Sequence, residues 1–98
     1  MNEDELHSAA SRGSHAESLL KDELLSECFA KLEEAYVAAW RSTNFDDVAA
    51  REKLFVAINV IGKVKEHLGT IAAHGELAKA EVEEMIRVAE RKKRFGIF

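Results

Sequence analysis

The stretch Ala50-Arg51-Glu52-Lys53-Leu54-Phe55-Val56-Ala57-Ile58-Asn59-Val60-Ile61-Gly62-Lys63-Val64-Lys65-Glu66-His67-Leu68-Gly69-Thr70-Ile71 decides the fold class. Ala50, Leu54, Ala57, Ile61, Val64, Leu68 and Ile71 follow one another at alternating spacings of four and three. That is three heptads of an apolar seam, the pattern of helices that pack along their length. Phe55, Val56, Ile58 and Val60 add apolar groups off the seam, so Leu54 to Ile61 is apolar nearly all round, broken only by Asn59. Outward from this stretch, Asn44 with Asp46 and Asp47 predicts an N-cap with negative charge in the first turn. His74-Gly75 predicts the C-terminal stop, glycine being free to take the left-handed conformation. The helix is therefore expected over 45–73. Gly62 and Gly69 lie seven apart on one side of it, marking either the close passage of another backbone or local weakness.

A first helix is expected over 15–42. Ser14 and Glu17 fit a capping box, and Leu25, Cys28, Phe29, Leu32, Ala35, Tyr36, Ala39 and Trp40 recur at helical spacing. Residues 1–13 sustain no period, and Arg12-Gly13-Ser14 interrupts them, so they are expected to form a flexible leader. A third, shorter helix is expected over 77–91, with Ala78, Val82, Met85, Ile86 and Ala89 on one face. Residues 92–98 complete the chain as a basic–aromatic tail.

Composition agrees with this division. The 98 residues hold no proline, and Ala, Glu, Leu, Lys and Arg supply a little over half of them, the bias of long helices. A β-sandwich would need turn signals every ten residues or so, and they are missing. With 47% hydrophobic residues and a net charge of −4, the chain is too apolar for disorder. The charge is uneven, about −6 over residues 1–34 and +4 over 87–98. An acidic start, a single cysteine and no apolar run of about 20 residues predict a cytoplasmic protein with no membrane contact.

Helices one and two, of similar length and joined briefly, predict an antiparallel hairpin. The expected fold class is all-α: a long antiparallel helical hairpin plus a shorter C-terminal helix, within one domain over 14–91. One partner helix cannot cover an all-round apolar stretch, and exposed patches of that kind mark interfaces. Self-association through Leu54, Ala57, Ile58, Ile61, Val64, Leu68 and Ile71 is therefore expected, as an oligomeric bundle or ring.

For chemistry the residues offer little. His67 and His74 are seven apart, not the four that zinc sites on helices favour, and no third ligand is specified. Cys28, on the apolar stripe beside Phe29, reads as a buried small hydrophobe rather than a nucleophile. Glu33-Glu34 and Glu83-Glu84 are adjacent and point apart on a helix. No enzyme, catalytic residue, metal ligand or cofactor is expected. Arg87, Arg91, Lys92, Lys93 and Arg94 with Phe95 and Phe98 support two functional readings. The cations can displace counterions from phosphates while the rings stack on bases; alternatively Phe95, Ile97 and Phe98 anchor a docking peptide steered by the charge. A third reading is a plain basic helix end, favourable against the dipole.

The residues Leu19-Leu20, Leu24-Leu25, Phe29, Leu32-Glu33, Tyr36 and Ala39-Trp40-Arg41-Ser42-Thr43 lead into Arg51-Glu52-Lys53-Leu54, Lys63-Val64-Lys65-Glu66-His67-Leu68 and His74-Gly75-Glu76-Leu77-Ala78. Over about 19–78 this resembles short all-helical proteins of tailed bacteriophages and prophages, which carry a similar Trp-Arg-Ser/Thr turn and Lys-Val-x-x-His-Leu segment. In architecture the expected hairpin and tail are similar to small terminase subunits, although residues 1–13 are too short for the helix-turn-helix that many of those carry. The resemblance implies a phage protein in the host cytoplasm that works through protein contacts. A DNA-packaging adaptor comes first; the alternative is a regulatory or inhibitory protein that binds a host factor through its acidic surface.

Overall fold

The computed structural model describes residues 1–94, and among them the only regular elements are three helices: α1 (Glu3–Lys21), α2 (Glu23–Arg41) and α3 (Val48–Arg94). The fold class is all-α. The helix boundaries differ from those expected at four places, each for a local reason.

Residues 1–13 are not a leader. Asn2 caps α1, its Oδ1 accepting from the Glu5 N–H at 2.8 Å while the Glu5 carboxylate accepts from the Asn2 N–H at 3.4 Å. This is the reciprocal capping box, twelve residues before the Ser14–Glu17 pair, which lies inside α1. Glu3, Asp4 and Glu5 occupy the first turn, where the dipole favours them. The helix expected over 15–42 breaks at Asp22, whose extended backbone (φ −68°, ψ 119°) and Oδ1, accepting from Leu25 N–H at 2.8 Å, make it the N-cap of α2. The cap of α3 is Asp47 rather than Asn44. Its Oδ1 accepts from Ala50 N–H at 3.2 Å, and its carbonyl accepts from Arg51 N–H at 3.1 Å. Finally, His74-Gly75 stops nothing: α3 runs through it, so the separate helix expected over 77–91 is the continuation of α3.

The chain divides into two compact units. The first comprises residues 1–17 with residues from 69 onward. Its core is built mostly of small residues around one leucine: Leu6 and Ala16 of α1 and Ala78 of α3 are buried, together with Gly13 and Gly75. These helix segments run antiparallel, Glu3 and His7 sharing a groove with Val82, Met85, Ile86 and Ala89, while Gly13 meets Gly75 farther along. At that crossing the backbones touch. A Cβ on Gly13 would collide with the Cα of Gly75 and come within 3.0 Å of the Ile71 carbonyl oxygen; a Cβ on Gly75 would collide with Gly13 and stand 3.0 Å from the Ala9 carbonyl oxygen. The close passage suggested for Gly62 and Gly69 thus occurs at Gly13 and Gly75. Neither Gly62 nor Gly69 has a described neighbour within 4 Å of its Cβ position.

The second unit comprises residues 18–68. Here α2 and the first part of α3 form an antiparallel hairpin about the turn 42–47. Leu25, Phe29, Tyr36 and Trp40 on α2 and Ala50, Leu54, Ala57, Ile58 and Leu68 on α3 are half-buried, and Ile61 is buried. Glu33 Oε2 lies 3.9 Å from Lys65 Nζ across the pair.

The two classes of glycine should respond oppositely to alanine. Gly62→Ala fills open space and is expected to raise stability by about 0.5–1 kcal/mol through helix propensity. Gly75→Ala forces a backbone apart and is expected to lower it by about 1–3 kcal/mol. Urea unfolding followed by circular dichroism measures both. Equal gains at the two sites would show that Gly75 does not carry the crossing.

Candidate functional site

The surface features best suited to function lie on the hairpin of residues 18–68. Helix α2 carries an apolar stripe wider than one neighbour can cover. Leu25, Phe29, Tyr36 and Trp40 turn toward α3. Leu24, Cys28, Leu32, Ala35 and Ala39 form a second line at spacings of four, four, three and four, and all five are exposed. Cys28 is thus a surface thiol rather than the buried hydrophobe expected. On α3, Val56, Val60 and Val64 make a matching line, 54%, 53% and 43% exposed.

Both lines lie on the same side of the hairpin. Successive helical residues are about 100° apart, which offsets each line from its helix's packed face by about 100° in the same rotational sense. Two antiparallel helices are related by a two-fold axis across the pair, so equal rotations bring both lines to one face. That face joins eight exposed apolar or small side chains, with Leu24 70% and Leu32 44% exposed.

Of the residues expected to form the oligomer interface, Ile61 is buried within the hairpin, and Leu54, Ala57, Ile58 and Leu68 are partly covered there. Val64 lies on the exposed face. Ile71, half-buried, belongs to the other unit, with its carbonyl oxygen at the glycine crossing. The heptad seam therefore serves mainly the contact within the chain. The residues the seam did not identify are its flank, Val56 and Val60, and the outer line of α2. Their signal was the doubled width of the α2 stripe and the off-seam valines.

The turn of the hairpin is a second feature. Ser42 and Thr43 close α2, their hydroxyls donating to the carbonyls of Ala38 at 2.9 Å and Trp40 at 2.7 Å. Arg51 then reaches back from α3. Its guanidinium stands 5.0 Å from the Trp40 ring centroid, a cation–π distance, and donates to Thr43 Oγ1 at 3.3 Å. Against this pair, Phe45, Val48 and Phe55 present apolar surface, and with Glu52 they line a shallow groove of about 230 Å³. Phe45 is 88% exposed.

The cations expected at the end of the chain are carried by α3 up to Arg94, so they belong to a helix surface and not to a tail beginning at residue 92. Arg87, Arg91 and Arg94 recur at four and three along one stripe and line a shallow groove with Glu90. Glu84 accepts from Arg87 at 2.8 Å and lies 4.0 Å from Arg91. Lys92 and Lys93 are exposed. Phe95, Ile97 and Phe98 lie outside the described residues.

Among the described residues no three His, Cys, Asp or Glu side chains stand together as a metal site, and no helix is long and apolar enough to cross a membrane. No protein-family model matches the chain, and no curated protein or solved structure matches it.

The Arg51–Trp40–Thr43 contact should hold the turn. Replacing Arg51 with Gln removes the cation and is expected to cost about 0.5–1 kcal/mol. Trp40, the single tryptophan of the chain, should shift its emission to the red. An unchanged spectrum and midpoint would show that the turn does not depend on this contact.

Proposed function

We propose that this chain works by assembly: copies pair through the apolar face formed by Leu24, Cys28, Leu32, Ala35 and Ala39 with Val56, Val60 and Val64, and the resulting helical oligomer acts through protein contacts rather than by chemistry. The exposed two-helix face carries this reading. Only Leu6, Ala16, Ile61 and Ala78 are buried apolar residues among those described, a small core for an independently stable chain.

The narrower reading is an adaptor for phage DNA packaging. It draws on the resemblance over 19–78 and on the arginine stripe of α3, whose cations can displace counterions from phosphates. The broader reading does not depend on it.

Light scattering on a chromatographic peak tests the assembly. The expected mass is a multiple of 10.9 kDa, collapsing to one chain in the Leu32→Asp, Val60→Asp double variant. Helix content should persist, since both side chains are exposed within the chain. Alkylation of Cys28 should be slow in the assembly and fast in the variant. A wild-type monomer with a freely reactive Cys28 at every concentration would overturn the proposal.

For the packaging role, labelled duplex DNA titrated at several salt concentrations is the measurement. Arg91→Ala with Arg94→Ala should weaken binding and reduce the salt slope by about 2. Unchanged affinity and slope would show that the arginine stripe does not hold DNA.

A further inference from the structure

The exposed face explains lateral pairing, but it leaves the groove at the hairpin turn unused. Phe45, Val48 and Phe55 are the kind of anchors that fill or form protein hot spots, and here they stand in solvent at the closed end of the hairpin. Trp40 lines the groove, with the Arg51 guanidinium 5.0 Å from its ring centroid. Glu52 is the carboxylate of the lining, and Asp46 and Asp47 stand in the chain between the lining residues Phe45 and Val48. A ligand for this groove is a short segment that offers large apolar side chains next to positive charge.

The same chain contains such a segment. Arg91-Lys92-Lys93-Arg94 is followed directly by Phe95-Gly96-Ile97-Phe98. We propose that the aromatic groove at the turn of one copy receives the basic–aromatic segment 91–98 of a second copy. The phenylalanines supply apolar area to Phe45, Val48 and Phe55, and the cations face Asp46, Asp47 and Glu52. The groove belongs to the unit of residues 18–68 and the basic run to the other unit, and the occupant assigned to the groove is the segment of a second copy, which the assembly proposed above supplies. The contact joins unlike surfaces. It is heterologous, and it closes into a ring or continues into a filament according to the rotation between copies. Lateral pairing through α2 and α3 and end-to-end joining through the turn are separate contacts; the second shares with the proposed function only the requirement for a second copy.

The test uses the full chain carrying Phe95→Ala and Phe98→Ala, which leaves its groove open, and a dye-labelled synthetic peptide with the sequence of residues 91–98. The single tryptophan sits in the groove, so binding is read twice, by peptide anisotropy and by Trp40 emission. Saturable binding with a change in Trp40 emission is expected. Phe45→Ala in the receptor, a change in an exposed turn residue, should weaken it by about tenfold. Glu52→Lys should weaken it further and flatten its salt dependence. No saturation by about 1 mM peptide, or equal binding of a scrambled peptide, overturns the proposal. Binding indifferent to Phe45→Ala and Glu52→Lys overturns it too, placing the peptide elsewhere on the acidic surface. If wild-type Trp40 emission already has its peptide-bound value and does not change on dilution, the occupant is the chain's own segment, and the second-copy assignment falls. The outcome is distinct from that of the lateral face: the Leu32→Asp, Val60→Asp variant should lose lateral pairing and still bind the peptide.

Discussion

Two helices laid side by side cover only the stripe of each that faces the other, and that stripe is narrower than the apolar surface this chain places on α2 and α3. In the unit of residues 18–68 the covered residues include Phe29, Tyr36 and Trp40 on α2 and Leu54, Ile58 and Ile61 on α3. Everything apolar that lies a quarter-turn away is left in solvent. The exposed face is therefore a consequence of geometry: a hairpin with apolar residues over half of each helix has no means within itself to hide them. The hydrophobic effect, at about 25 cal/mol per Å², makes that surface the dominant source of free energy still available to the molecule.

The other unit meets the same constraint differently. There α1 and the later part of α3 have few large side chains to interlock, so the helices approach until glycine meets glycine. Removing both Cβ atoms lets the backbones touch at Gly13 and Gly75, and dispersion contacts between main chains replace side-chain packing. This explains why two glycines that cost helix propensity sit inside helices instead of ending them. Gly62 and Gly69, seven apart on α3, meet no such partner among the described residues.

Much of the fold can be read along the chain. Helical class, the turn after Trp40 and the antiparallel hairpin follow from periodicity and from the polar residues 42–47. The differences lie at Gly13, Asp22 and Gly75. At residues 13 and 75 glycine reads as punctuation because nothing local distinguishes a stop from a crossing; the partner is 62 residues away. At Asp22 the apolar period continues through a strong N-cap type and hides it. For the interaction surface, the sequence shows more apolar residues than one chain can cover. It does not show which of them are left over.

The sequence by itself determined that the chain is helical, where its charge lies, and that its apolar content exceeds what a hairpin can bury, because these depend on composition and on periods of three and four. Tertiary structure decided which residues meet. The heptad seam was spent on α2, so Ile61 is inside while Val56, Val60 and Cys28 are outside. Gly13 found Gly75, which kept α1 and α3 intact. Trp40 took Arg51, leaving Phe45 and Phe55 uncovered at the turn. The physical reason is that each of these is a competition between distant surfaces for the same contact, and no local pattern records its result.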